Sequence, residues 1–440
     1  MDQKVIAIRT RKTSFRWFVA GMIFVIYAIA SADRANIGFA MPFIRKEFSM
    51  SNTEAGVVLS LFLWGYAIAQ IPSGFATSRF GVRWLFTASM ILTSLMTGMM
   101  GTAASAIALK IYRFVLGLAE GPLPIGIGAT INSWFPVREK GTVSGLFLSA
   151  VKFGPVVVPP LCALIVSIWG WREIFLFFAL PGILLAAIWF VLIPDRPAQS
   201  RFCSPAEQAL IEETSATPTG SATSRPRDFR WLDRLIRARH LPRLHSNAEV
   251  FHSSNVWGCA LGYSFQLGIS NMLLAWIPTY LLTVKKFSVM GSGFVAAAPW
   301  VGAVIGNILG GLISDRVFAG RRKPGMLFSA AATAGMMVAL LNAPADPIGY
   351  AIVLFLTGIF LSIGFSAYMA YPMALVDKPR YPVASALVNT GGQIGGACAP
   401  LAVGLLLDSY GWNYVFAFMA IGSLVSFAAV AIIEEPLNDS

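Results

Sequence analysis

Hydrophobic positions in this chain fall in long unbroken runs instead of alternating with polar ones. Runs long enough to cross a ~30 Å hydrocarbon core lie near 17–35, 53–77, 84–105, 107–132, 142–168, 173–193, 254–283, 289–314, 325–343, 347–372, 382–407 and 412–433. Barrel strands would show period-2 alternation over about ten residues, so each run predicts a helix. The expected class is an all-α membrane protein with twelve transmembrane helices. Residues 194–253 interrupt the pattern with Pro, Ser, Thr, Arg and Glu, which divides the chain into residues 1–193, a linker of 194–253, and residues 254–440. Within that linker, Ser204 before Pro205 and Glu207 predicts an N-capped short helix. Residues 215–226 read as flexible linker, and Arg225 to Arg243 as an interfacial segment against anionic lipid.

The two halves repeat. Gly170-Trp171 through Phe175 recurs as Gly411-Trp412 through Phe416, 241 residues later, and Ser144, Gly154 and Pro159 match Ser385, Gly395 and Pro400 at the same offset. Gly74 to Arg79 matches Gly311 to Arg316 at an offset of 237. Parallel repeats of six spans form two pseudo-symmetric bundles with a binding site between them near mid-membrane.

Composition agrees with this class: 56% of residues are hydrophobic and 12% charged, against roughly 25% charged in soluble domains. Basic residues sort the connectors. Lys4, Arg9, Arg11, Lys12 and Arg16 precede the first span; Arg79 and Arg83, Arg138 and Lys140, Arg316 to Lys323, and Lys378 and Arg380 follow even-numbered spans. That bias predicts cytoplasmic termini in a multi-pass inner-membrane protein. The net charge of +12 therefore reflects orientation and contact with the lipid bilayer; no aromatic platform or soluble domain supports nucleic-acid binding. Cys162, Cys203, Cys259 and Cys398 have no metal-ligand or disulfide spacing, and the first apolar run ends in Asp-Arg instead of a signal-peptide cleavage site.

Five charges interrupt the apolar spans: Asp33 and Arg34 at the end of the first, Arg113 and Glu120 in the fourth, Lys152 in the fifth. Intramembrane charges are functional by default. Two acids and three bases facing one cavity would carry a charge of about +1 to +3 as the acids take up protons, a range suited to organic anions. Arg113 and Glu120, seven residues apart, share a helical face over two turns. A structural ion pair is the alternative, but desolvating such a pair costs several kcal/mol that apolar packing would avoid. Lys152 lies too far from either helix end to snorkel; it binds substrate, or else pairs in the core with Asp33 or Glu120. At the repeat offset it aligns with Gln393. Gly121-Pro122, Gly154-Pro155 and the run from Gly391 to Gly396 are expected to kink their helices. No buried His and no nucleophile triad is present, which argues against an enzyme.

Several of these segments resemble the major facilitator superfamily. The carriers are Gly311 to Arg316 with Arg321 and Arg322, and the first copy from Gly74 to Arg83, which has Ser78 where an acid is usual. More narrowly, Asp33-Arg34-Ala35-Asn36, Trp64 to Gly74, Arg113 to Pro122 and Trp134-Phe135-Pro136 are similar to the anion:cation symporter family, which carries galactonate, hexuronates, glucarate, tartrate and phthalate. The likeness implies proton-coupled symport of a small organic anion by a monomer, with protons as coupling ion and no other cofactor. It implies Asp33 and Glu120 as proton-coupling acids; Arg34, Tyr66, Arg113 and Asn389 as substrate contacts; and Arg79, Arg83, Asp315 and Arg316 as gating-loop residues. Lys152, where the family commonly has an uncharged residue, and Gln393 join the expected substrate contacts from their places in the spans and the repeat. A proton-linked exporter of amphipathic compounds would want fewer buried cations, and a receptor or sensor would want a sizeable aqueous domain.

Overall fold

The computed structural model describes residues 13–212, 230–377 and 380–437, apart from the side chains of Ser78, Val137 and Arg230. Lys4, Arg9, Arg11, Lys12, Lys378 and the linker stretch 215–226 lie outside the described residues. Among the described residues, twelve helices are long and apolar enough to cross a membrane. Spans 1 to 6 are Phe15–Phe48, Asn52–Thr77, Val82–Gly101, Ala106–Trp134, Arg138–Ile168 and Trp171–Leu192. Spans 7 to 12 are Ser254–Thr283, Val289–Val317, Lys323–Leu341, Pro347–Leu375, Tyr381–Ser409 and Trp412–Ile432.

Span 1 departs most from the sequence expectation. Its helix runs on to Phe48, so Asp33 and Arg34 lie near its middle and not at an end. The reason is that both charges find polar surroundings inside the protein, while Ala35, Ile37, Phe39, Ala40, Met41 and Ile44 continue a buried apolar face beyond them. Of the expected breaks, Gly121-Pro122 divides span 4 into Ala106–Glu120 and Pro122–Trp134. Span 5 passes Gly154-Pro155, and span 11 passes its glycine run, as continuous helices.

The apolar core shows how the halves meet. At the end opposite the termini, one continuous cluster contains Ile37, Phe62, Leu116 and Cys162 together with Met272, Trp276, Val295 and Val403. At the end bearing the termini, it divides into two clusters. One runs from Val19 through Phe86 and Ile127 to Ile193; the other runs from Val250 through Tyr368 and Val388 to Ile433. The halves are thus joined at the far end and part towards the termini. Hydrogen bonds that cross the joined end converge on Asp408, at the end of span 11. Its carboxylate accepts from the backbone N–H and Nδ2 of Asn52 (3.0 and 2.8 Å) and from the N–H and Oγ1 of Thr53 (2.8 and 2.6 Å). A carboxylate from one half so caps the first turn of span 2 in the other, where orphan N–H groups and the helix dipole favour negative charge.

The linker is fastened to both halves. Ser204 caps helix Pro205–Glu212 as its sequence predicts (Glu207 N–H to Ser204 Oγ, 3.3 Å). Glu207, fully buried, accepts from the Phe15 and Arg16 N–H groups and from the Arg16 guanidinium, which also pairs with Glu139 at 2.8 Å. On the other half, strand Ala238–Arg239 pairs in parallel with Glu435–Pro436. Lys323 Nζ donates to the carbonyls of Ile236, Ala431 and Ile433. The described part of the Arg-rich segment is therefore tied to the protein, with Asp233 paired to Arg321, while Trp231, Arg234 and Leu235 stay exposed.

Two outcomes follow from these fastenings. Replacing Asp408 by Ala removes charge-assisted hydrogen bonds worth about 1.5–3 kcal/mol. Spin labels on residues 51 and 410 should then report a longer-distance population that the unmutated pair lacks; an unchanged distance distribution would remove Asp408 from the closure. Burial pushes the Glu207 carboxyl up, but bonds from Thr13, Arg16 and Phe15 outweigh it and hold the group below its ordinary range. The depressed group contributes stability above pH ~4.3 that is lost as pH falls through its folded value. The thermal unfolding temperature should therefore fall on acidification below that point, and less steeply in Glu207→Gln.

Candidate functional site

The charged site begins with two helices that approach unusually closely. A Cβ on Gly117 would lie 2.0 Å from the Phe62 carbonyl, and one on Gly65 would lie 2.3 Å from that of Phe114. Span 2 therefore presses its aromatic residues onto the Arg113 face of span 4. Phe62 and Tyr66 stack on each other at 6.1 Å, and the Arg113 guanidinium lies 4.7 Å from the Phe62 ring. Arg34 of span 1 lies 4.7 Å from the Tyr66 ring and 5.5 Å from Phe62. Such cation–π contacts stabilise a desolvated guanidinium without supplying a counter-charge.

That counter-charge comes from Glu120, wholly buried at the break in span 4. Its Oε1 accepts from Nε of Arg34 at 3.0 Å and from Nη2 of the same residue. Oε2 of Glu120 is buried and has no hydrogen-bond partner. Arg113, 2% exposed, donates one bond, from Nη1 to the Asp33 carbonyl at 3.2 Å, and its Nε is unpartnered. A guanidinium offers five donors, so Arg113 is under-satisfied. Arg34 keeps 21% of its side chain exposed. Of the two guanidiniums Arg34 is the more exposed, and Arg113 lies against the Phe62 ring.

The expectation of a single cavity shared by all five charges is also modified. Asp33 is 2% exposed and forms no ion pair among the described residues; Arg34, its neighbour on the helix, points about 100° away. Its carboxylate takes a bond from Asn36 Nδ2 at 3.1 Å and lines a cavity of about 20 Å³ inside the first half, with Thr93, Ser94, Leu123 and Gly182. Lys152 has neither Asp33 nor Glu120 as partner. A Cβ on Gly154 would meet Ser31 Oγ at 2.1 Å, so span 5 packs its Gly154 face against span 1. Two residues earlier, Lys152 points to the other half, with Nζ 5.3 Å from the Phe365 ring and 5.7 Å from that of Trp300. Among the described residues it has no hydrogen bond and no ion pair.

Asn389 and Gln393, one turn apart on span 11, are half-buried and between Val388 of the separate core and Ala397 of the shared one. Lys152 similarly lies between Ala150 and Val158, and Phe365 packs against both clusters. These candidates therefore sit at the depth where the joined core divides, the apex of the cleft between halves. Of the gating-loop residues, Arg83 and Asp315 bond to groups close to their own loops. The Arg83 N–H donates to Asp195 (2.8 Å) and its Nε to the Phe190 carbonyl (2.7 Å). Asp315 accepts from Arg322 at 2.8 Å within the segment Ile313–Val317; Arg79 lies over Phe80, and Arg316 is exposed on that segment. A groove of about 640 Å³ between Thr77, Val82, Ser133 and Asp195 touches none of the membrane-buried charges.

Sequence reasoning did not single out Asp408, Asp195 or Trp300. For Asp408 a signal existed: an acid at the end of span 11 facing, across the repeat, the polar first turn of span 2. Tyr263, Gln266, Tyr368 and Tyr371 are core residues; Gln266 bonds to Ser423 (3.1 Å) and Tyr368 to Ser426 (3.0 Å).

Comparison with known proteins places this geometry in a family. The chain is 26% identical over 97% of its length, and 94% of the relative's, to a probable galactarate/D-glucarate transporter of Bacillus subtilis. It is 28% identical over 94% of its length, and 93% of the relative's, to a probable sulfoacetate transporter of Cupriavidus necator. Among solved structures, a bacterial homolog of the human lysosomal transporter Spinster, inward-facing and unoccupied, superposes with a TM-score of 0.76 at 17% identity, covering 95% of this chain and 96% of that one. The Major Facilitator Superfamily model matches residues 23–344 and 292–440. The chain belongs to the Major Facilitator Superfamily: it is a multi-pass membrane transporter and not an enzyme.

Proposed function

We propose that this transporter carries a small organic anion, a sugar acid or a dicarboxylate, together with protons across the cytoplasmic membrane by alternating access, as a monomer with both termini cytoplasmic. The observation that carries the reading is the pairing of half-buried Arg34 with fully buried Glu120 beside the under-satisfied Arg113. Breaking a buried pair by removing one partner costs about 3–5 kcal/mol, because a bare charge is left behind. Protonation of Glu120 does neutralise one partner, and a substrate carboxylate arriving at Arg34 replaces it. Anion and proton therefore enter together or not at all. Tyr66, Asn389 and Gln393 supply hydrogen bonds for hydroxyls, and Asp33 carries the second titratable site. Protonation and binding then favour rocking of the halves about the joined end, which releases both cargoes to the other side.

Lys152 supports a substrate with a second negative group. Its ammonium projects from the first half onto the aromatic wall of the second, lacking a carboxylate of its own. Relatives named for galactarate, D-glucarate and sulfoacetate carry substrates with two acidic groups, and a hexuronate transporter of Bacillus subtilis, 25% identical, is named for a monoacid. The basic connectors support the orientation.

Proteoliposome uptake of D-glucarate, galactarate, sulfoacetate and glucuronate under an imposed inward proton gradient tests the reading. Accumulation of at least one of these should follow the gradient and collapse when it is dissipated, and Glu120→Gln should abolish gradient-driven accumulation while anion exchange persists. Uptake indifferent to the gradient, or full coupling in both Glu120→Gln and Asp33→Asn, would overturn it. Lys152→Gln should weaken diacids by roughly tenfold, the value of one charged hydrogen bond, and leave glucuronate nearly unchanged. Equal losses for both classes would remove Lys152 from selectivity.

A further inference from the structure

Among the described residues no hydrogen bond joins Asp33 to Glu120, and span 3 runs beside both acids. Span 3 carries Ser89, Thr93 and Thr97 at successive i, i+4 positions, so their hydroxyls line one face over about 12 Å. All three are buried, within the first half. At one end, Thr97 lies beside the Asp33 carboxyl. At the other, the Ser89 hydroxyl donates to the carbonyl of Ala119, next to Glu120. Between them, Thr93 and Asp33 line the cavity of about 20 Å³, room for one water. The Oγ1 atom of Thr93 and the Oε2 of Glu120 are buried with no hydrogen-bond partner. Orphaned polar atoms of this kind call for a water or a mobile proton. Leu123, three residues beyond Glu120, also lines the cavity.

We infer that Ser89, Thr93 and Thr97, with a water in this cavity, relay a proton between Asp33 and Glu120 inside the first half, apart from the substrate cleft. The inference rests on the proton-symport reading above. In the step, the protonated Asp33 carboxyl gives its O–H proton to the adjoining hydroxyl or water. Each member passes on the proton it held, and Oε2 of Glu120 forms an O–H bond; Asp33 ends as carboxylate and Glu120 as neutral acid. No other reactant is needed. Groups facing Asp33 are Arg113 and Glu120 of span 4 and Cys162 of span 5; those facing Glu120 are Arg34, Arg113 and Tyr27. Because Glu120 holds Arg34 through Oε1, arrival of the proton on this residue is what frees Arg34. Asp33 lies beside Thr97, further from the cytoplasmic end of span 3 than Ser89. A proton entering from outside thus reaches Asp33 first, and the cation is unlocked only after it has moved inward.

The relay can be timed without substrate. Purified protein in nanodiscs is given a proton jump from a caged acid, and the infrared carboxyl band that Glu120→Gln deletes is followed in time. Thr93→Val and Thr97→Val, which keep side-chain volume and remove the hydroxyl, should each slow the rise of that band by about tenfold, the worth of one hydrogen bond. Thr93→Ser should restore the wild-type rate. If the band rises at the wild-type rate in both valine variants, or if Thr93→Ser is as slow as Thr93→Val, the relay is overturned while symport stands. If no band in the wild type depends on Glu120, the symport reading itself fails.

Discussion

A half-buried guanidinium held by a fully buried carboxylate that can be neutralised is the interaction on which the rest of this molecule depends. Arg34 and Glu120 come from different helices and meet where the apolar core ceases to be shared by the two halves. Their mutual attraction makes the pair tolerable away from water, and its loss would be prohibitive unless another anion or a proton replaced the missing charge. Placing that dependence at the apex of a cleft links chemistry to shape. The state of one carboxylate decides whether the apex attracts an anion, and the halves around it are free to move.

Their freedom is unequal along the membrane normal. At the far end, the halves share a continuous apolar cluster and the hydrogen bonds of Asp408; towards the termini each packs its own core. The linker is tied to the first half through Glu207 and to the second through the Ala238–Arg239 strand and Lys323. These anchors restrain the helix ends of each half without joining the two halves at that depth. Rigid halves, a sealed far end and a parted near end are the conditions for a rocking carrier.

Much of this was legible in the residues. Span number, the repeat and the linker follow from apolar run length and from recurrence, because a helix that crosses lipid must satisfy its own backbone and remain apolar. Arg113 and Glu120 were visible as an anomaly of charge. What sequence could not settle was direction. Apolar run length ended span 1 at Asp33, whereas tertiary contacts continue the helix to Phe48. Adjacency fixed that Asp33 and Arg34 diverge, but only packing shows Arg34 turned to Glu120 and Asp33 turned to the hydroxyls of span 3. The rotation of span 5, which aims Lys152 at Trp300, depends on the close seat of Gly154 against Ser31. The cap by Asp408 joins residues about 350 positions apart, a separation across which no local pattern acts.

The central claim, that protonation of Glu120 frees Arg34 and an anion takes the place of that carboxylate, is tested most directly by the heat of binding. Titration of D-glucarate into the purified transporter, in buffers of differing ionisation enthalpy at one pH, measures protons taken up per anion bound. Proton uptake that disappears in Glu120→Gln is the result this account predicts. Tight binding with identical heats in every buffer, in the wild type as in the variant, would contradict it.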